Sequence, residues 1–424
     1  MRALPGEGGA GLDVEEASAI GARIRMIRRR RGLSLEVVAG LAGISKQYLS
    51  ALERGKRGFN RRGLIEDLAN ALGCSVADLT GQPYLPPDRA TADALAVVAE
   101  ITPVVYDVTL DHVPDIPVRP VDQLAAWAAQ ANVHCDEARY ALAGRDLAVL
   151  LTELHVHAAI GTPAARRTAL AALVEACVVV FGIARQLGHP ELAVVAMDRG
   201  RAAAVRLGDP ALAGFAGLAR AGAFSRLGAR RNAAAVLAEA RAAVEGESDP
   251  TGSDVRAAEA LGMTHLLAAQ LAGRDKRHGD ADTHLAEAAD LARATGERNT
   301  LAWHFGPANV AAWSLAIAVE RGDGPSHAER LDADPVTPMS GGRRSRWHLD
   351  LARGYAQAEG SRDHEAIRHL DTADRIAPTK IRNDPIARDL VRTLDRRARR
   401  RVWELESLRN RFSLDVRSLH SGDN

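Results

Sequence analysis

The chain has 424 residues, of which 46% are hydrophobic, 26% charged and only 4% aromatic, with a formal net charge of +1. That length exceeds the ~250–300 residues at which single cores stop growing, so two or more domains are expected, and the composition excludes a collagenous, largely disordered or disulfide-stapled chain. Cys74, Cys135 and Cys177 stand apart without C-x-x-C pairing, which argues against a zinc site and for a reducing compartment.

The near-neutral total hides an asymmetry. Residues 20–62 hold twelve Lys or Arg against Glu36 and Glu53, so this segment carries +10 and the rest of the chain −9. A small basic module on an acidic chain suits phosphate-backbone binding, because cations release condensed counterions from a polyanion. No uninterrupted 18-residue apolar run and no secretory leader is read, so the expectation is a soluble cytoplasmic protein without a membrane partner.

In chain order, residues 1–18 read as a flexible N-terminus. The literal G-x-G-x-x-G at 6–11 follows no strand and predicts no nucleotide site. Ile20, Ile24 and Ile27 then predict an amphipathic helix that stops at Gly32. A second helix follows Ser34 as N-cap, with Val38, Ala39 and Leu41 toward the core. After Gly43, Ser45 caps a third helix, KQYLSALER, whose Leu49 and Leu52 face inward and which Gly55 stops. A fourth helix runs through Leu64, Ile65, Leu68, Ala69 and Leu72, and Ser75 caps a short fifth.

RRRRGLSLEVVAGLAGISKQYLSALERGKR (28–57) and LANALGCSVADL (68–79) resemble the phage repressor and Cro-like, or XRE, helix-turn-helix family, with Ala39, Gly43, Ile44, Ser45, Leu49, Glu53 and Gly55 in the family's order. The resemblance covers about a fifth of the chain. It implies that the third helix enters the major groove of double-stranded DNA and that its N-terminal side chains meet base edges. Lys46 is then suited to guanine O6 and N7, and Gln47 to adenine N6 and N7. Ser45, Tyr48 and Ser50 complete the recognition face, and Lys56, Arg57, Arg61 and Arg62 are expected on the phosphates. Ala51 stands where relatives often carry a long polar reader, and Leu35 where they often carry a phosphate-contacting glutamine. Arg28 and Glu53 occupy the family's structural ion pair.

Three prolines in TGQPYLPPD (80–88) end this domain, assigned to 19–82. A linker helix from about Arg89 to Ile101 and a Pro-rich extended hinge fill 83–120. Beyond it LGHPELA (187), LGDPALA (207) and LGARRNA (227) recur at a 20-residue step, each a helix closed by Gly. Later pairs are read at 255–295, 298–320 and 344–376, and a last helix at about 384–400. These α-hairpins resemble tetratricopeptide arrays, placed at 121–412 before a flexible tail at 413–424. The expected fold class is all-α: a five-helix repressor-like DNA-binding domain followed by an α-hairpin, tetratricopeptide-like solenoid.

Such an array after a helix-turn-helix resembles signal-sensing regulators, in particular long XRE-type regulators of actinobacteria. That implies a transcriptional regulator whose array senses a peptide or small molecule and supports a homodimer. A scaffold that binds partner proteins through the array stays open as the alternative. Asn309 and Trp313 fall one turn apart after the Gly306–Pro307 break and are candidates for a ligand groove, with His304 and Arg220 as weaker ones and Arg199 and Arg201 as further anion contacts. Packing and capping roles compete for Asn309 and Trp313. RTLDRRARRR (392–401) reads as a solvated terminal helix, with phosphate contact as its alternative. His155 and His157 point to different faces of one helix, which disfavours a metal. No cofactor motif and no catalytic residue is found, so an enzyme is not expected.

Overall fold

The computed structural model describes residues 19–332 and 340–414. Residues 1–18, with the Gly-rich run at 6–11, and residues 415–424 of the expected tail lie outside the described residues. The described chain is all-helical, and its only β feature is an isolated antiparallel bridge between Thr109 and His112.

The N-terminal domain consists of α1 (Ile20–Arg30), α2 (Leu35–Leu41), α3 (Lys46–Glu53), α4 (Arg62–Leu72) and α5 (Val76–Thr80). Each polar cap read from the sequence is formed: Ser34 accepts from the Val37 N–H at 3.2 Å, Ser45 from Tyr48 at 3.1 Å and Ser75 from Asp78 at 3.0 Å. The turn between α2 and α3 passes through Gly43 at φ +64°, a conformation a side chain resists. Ile24, Val38, Leu49, Leu52, Leu68 and Leu72 form the core at 0% exposure. Leu41 departs from expectation and is 67% exposed, because Ala42, at 4%, takes the inward position next to Val38 and Ala39.

The linker helix differs from the sequence expectation. It is α6 (Arg89–Asp107) and continues through Pro103. Proline inside a helix costs about 3 kcal/mol. Here Val97, Val98, Ile101 and Val105 form a buried stripe within the first core of the array. At ~1.5–3 kcal/mol per buried aliphatic side chain, that packing outweighs the interruption. The segment expected to link the domains is thus part of the array's core.

The remaining helices are α7 (Val121–Asp136), α8 (Tyr140–Ala143), α9 (Leu147–Ile160), α10 (Pro163–Leu187), α11 (Pro190–Leu207), α12 (Pro210–Arg226), α13 (Arg230–Glu245), α14 (Arg256–Arg274), α15 (His278–Thr295), α16 (Pro307–Arg321), α17 (Gly324–Asp332), α18 (Gly341–Ala356), α19 (Asp363–Ile376), α20 (Pro378–Arg382), α21 (Pro385–Arg397) and α22 (Trp403–Arg411). The 20-residue step appears as α11, α12 and α13, entered through the positive-φ glycines Gly188, Gly208 and Gly228. Consecutive helices pack as pairs, and every second helix also touches the next but one, α10 to α12, α14, α16 and α18. α7 packs against both α10 and α18, so the inner helices close into a ring. α10 is apolar and long enough to cross a bilayer, yet most of it is buried, as befits a core helix.

The N-terminal domain packs on the face where the C-termini of α10, α12, α14, α16 and α18 gather. The Glu320 carboxylate accepts from the N–H groups of Arg62 and Gly63, both at 3.1 Å, at the start of α4. Arg353, 1% exposed, donates to Glu320 at 2.6 Å and to the Asn60 carbonyl at 2.9 Å. Arg230 donates to Glu66 at 2.9 Å and to Asp67 at 2.8 Å, and Asp389 accepts from the Phe59 N–H at 2.6 Å. Ile386 of α21 joins the core of the small domain outright.

Candidate nucleic-acid interface and central cavity

Capping at Ser45 and the apolar pair Leu49–Leu52 fix the rotation of α3, which leaves Lys46 and Gln47 exposed at its N-terminus. Lys46 pairs with the equally exposed Glu36 and holds that carboxyl below its usual range. The Ser45 hydroxyl is engaged as the cap, Ser50 is half-buried, and Tyr48 lies under the Arg57 guanidinium, 5.4 Å from its ring centroid. Arg28 grips Glu53 with two hydrogen bonds of 2.6 and 2.7 Å, tying α1 to the end of α3.

Of the residues expected on phosphate, Lys56 is exposed, Arg61 half-buried and Arg57 paired with Glu359. Arg62 is a correction: it is 5% exposed and turned inward, with Nη2 3.6 Å from Asp384. Its place at the first turn of α4, where the domain meets the array, removes it from the exposed surface. The basic run at 392–401 behaves differently from a free solvated helix. Thr393 abuts Gly58, and a Cβ on Gly55 would lie 3.1 Å from the Arg396 guanidinium carbon. Exposed Arg396 therefore stands near the loop that leaves α3, and Arg399 and Arg400, also exposed, follow it just past the end of α21. At the other end, Lys276 Nζ donates to the Gly43 carbonyl at 3.2 Å.

The geometry of α2, turn and α3 agrees with comparisons to known proteins. Residues 19–80 match the family described as helix-turn-helix domain. An uncharacterized HTH-type transcriptional regulator of Sinorhizobium fredii, y4dJ, is 45% identical over 60 residues, which is 14% of this chain and 77% of that relative. The chain belongs to the helix-turn-helix transcriptional regulators. HTH-type transcriptional regulator DdrOP3 of Deinococcus deserti is 46% identical over 57 residues, 13% of this chain and 43% of that relative. No solved structure gives a significant match to this regulator. Family membership makes the regulator's N-terminal domain a DNA-binding one, and the similarity stops where the array begins.

Inside the regulator's ring lies a cavity of about 230 Å³, lined from α7, α10, α12, α14, α16 and α18 and, at the DNA-binding domain, by Arg62. Asn309 and Trp313 both line it. Asn309 is 2% exposed and donates to the Trp303 carbonyl at 3.3 Å, so it braces the non-helical entry to α16 while facing the cavity. His304 and Arg220 do not line it: His304 bonds Asp136 of α7 at 2.6 Å, and Arg220 pairs with Asp198. Arg199 donates to the Val105 carbonyl at 3.2 Å, away from the cavity. Sequence reading missed six of the cations that line it, Arg185, Arg226, Arg274, Arg343, Arg346 and Lys380. The available signal was an Arg shortly before the turn glycine, as in ARQLG and SRLG, at the C-termini of inner helices that run the same way. Burial pushes the Lys380 ammonium down to about 7, and arginines 343 and 185 add to the effect. Among the described residues, no cluster of His, Cys, Asp or Glu is arranged to hold a metal, and burial raises the Cys135 and Cys177 thiols to about 12.

Proposed function

We propose that this regulator reads specific promoter sequences through α3 and that its tetratricopeptide-like array senses a peptide or small-molecule signal and mediates homodimerisation. The observation that carries the reading is the pairing of an exposed Lys46–Gln47 tip with a DNA-binding domain docked on the array through Glu320, Arg353 and Arg230, where its Arg62 lines the cavity. Lys46 and Gln47 supply the base readout, and Lys56, Arg61 and the exposed arginines of 396–400 supply backbone contacts. A symmetric dimer places two such tips on half-sites about 34 Å apart or a multiple of it. A signal that alters docking on the array shifts the population of dimers with matching spacing.

The test is titration of duplexes from in vitro selection that carry one half-site or two, at stepped salt concentrations. The expected result is tighter binding to the paired sites and a steep loss of affinity with salt, as several phosphate contacts require. Affinity indifferent to both salt and half-site number would instead fit the scaffold reading.

A further inference from the structure

The cavity holds more positive charge than its own carboxylates compensate. Three of its lining cations have acidic neighbours: Arg274 lies 3.2 Å from Glu66, Arg346 lies 2.9 Å from Asp350, and Arg62 faces Asp384 at 3.6 Å. The other four form no ion pair with a carboxylate, although Asp136 acts at longer range on Arg343 and Lys380, and Asp384 on Arg226. Arg343 donates to the Trp303 carbonyl at 3.0 Å, Arg226 reaches Gln186 at 3.4 Å, Lys380 bonds the Gly342 carbonyl, and Arg185 lies over the Phe181 ring at 4.9 Å with its Nε unpartnered. The two lining carboxylates are already engaged, Asp136 by His304 and Ser340 and Asp350 by Arg346 and Arg353. Buried Arg62 also leaves Nη2 without a hydrogen-bond partner.

A guanidinium stays protonated in proteins, so crowding several in one desolvated space weighs on the fold unless an anion enters. Planar guanidinium forks match oxyanions bidentately, and a phosphoryl group offers three acceptor oxygens. Beside them stands the Trp303 indole, its centroid 6.3 Å from that of Phe215 in a stacked arrangement and its Nε1 unpartnered. An apolar cavity of about 150 Å³ holds benzene. The 230 Å³ here leaves room for a single ring with a phosphoryl group or two.

We propose that the central cavity is the binding site for a small organic phosphate, a planar ring bearing one or two phosphoryl groups, clasped by Arg185, Arg226, Arg343 and Lys380. The site rests on the sensing reading and deepens it, because Arg62 lines the cavity from α4. An anion there pairs with the inward-turned Arg62 and strengthens docking. Docking keeps Lys276 and Arg396 beside the recognition unit, so occupancy raises DNA affinity.

The experiment uses the full chain with phenyl phosphate, inorganic phosphate and phenol at constant ionic strength, followed by calorimetry and thermal melting. Phenyl phosphate is expected to bind at least about tenfold tighter than either fragment, and Arg185→Met with Arg343→Met to lose about tenfold or more. The exposed control Arg344→Met leaves binding unchanged. Without ligand, the double variant melts higher than the wild type, since it removes unpaired buried charge. Phenyl phosphate bound no better than phosphate, or equally by the double variant, overturns the site. Tight binding that leaves affinity for a selected DNA duplex unchanged keeps the site and overturns the sensing reading. Absence of binding overturns the site and leaves sensing of another ligand standing.

Discussion

Glu320 is the residue whose loss should loosen the DNA-binding domain most. Its carboxylate takes two backbone N–H bonds from the first turn of α4 and an ion pair from Arg353, all in a buried setting. Glu320→Ala leaves two N–H donors and one guanidinium arm unsatisfied. Removing one partner of a buried ion pair costs about 3–5 kcal/mol. The variant should therefore raise the local opening constant of residues 59–65 by roughly 10²–10³-fold or more, since each 1.4 kcal/mol is tenfold. Glu320→Gln keeps an acceptor but loses the charge, so its effect should be smaller. Hydrogen exchange read by mass spectrometry is the suitable assay, because several cores need not melt in one transition. Burial pushes the Glu320 carboxyl upward, but the charges of Arg353 and Arg274 and the two N–H groups outweigh it and hold it at about 2. A carboxyl depressed on folding stabilises above its unfolded value, near ~4.3, and that contribution fades as pH falls toward 2. Protection of 59–65 should accordingly decline across that window in the wild type and less in Glu320→Gln. Exchange in Glu320→Ala within about threefold of wild type would refute the reasoning.

Other predictions follow from the same contacts. Arg28→Ala strands a nearly buried Glu53 and should destabilise the small domain by about 1.5–3 kcal/mol, checked by denaturation monitored at α3. Arg396→Ala with Arg399→Ala should weaken DNA binding evenly across sequences and flatten its salt slope by roughly one unit per lost phosphate contact, while base discrimination persists. Lys380 faces Arg185, Arg343, Arg346 and Asp136, and desolvation holds it at about 7. Its ammonium is therefore present below that pH and lost above it, so phenyl phosphate should bind more weakly as pH rises through 7 and take up protons near pH 7.5, seen as buffer-dependent heats in calorimetry.

The small domain was legible because its signals are local. Ser34, Ser45 and Ser75 cap the helices they precede, and Gly43 turns the chain between α2 and α3. Leu41 was misplaced because a seven-residue helix offers two apolar faces, and packing chose Ala42. Pro103 misled for the opposite reason: a strong local breaker was overruled by the buried stripe from Val97 to Val105. Ring closure was not legible at all. It depends on Asp136 meeting His304 and Ser340, residues far apart in sequence whose types suggest nothing of the kind. Without closure, Arg185, Arg226, Arg343 and Lys380 look like ordinary surface cations, no different from Arg199, Arg201 and Arg220, which do not line the central cavity. Arg62 was read as a phosphate contact because the basic run continues through it, whereas the array claims it.

The most direct test of the account is base discrimination by α3. Fluorescence anisotropy with a selected operator and single-base variants would compare the full chain with Lys46→Ala and Gln47→Ala. Each substitution should erase about 1–3 kcal/mol of discrimination at its own base position and leave binding to unrelated DNA nearly intact. Discrimination unchanged in both variants would contradict the assignment of α3 as the sequence-reading helix.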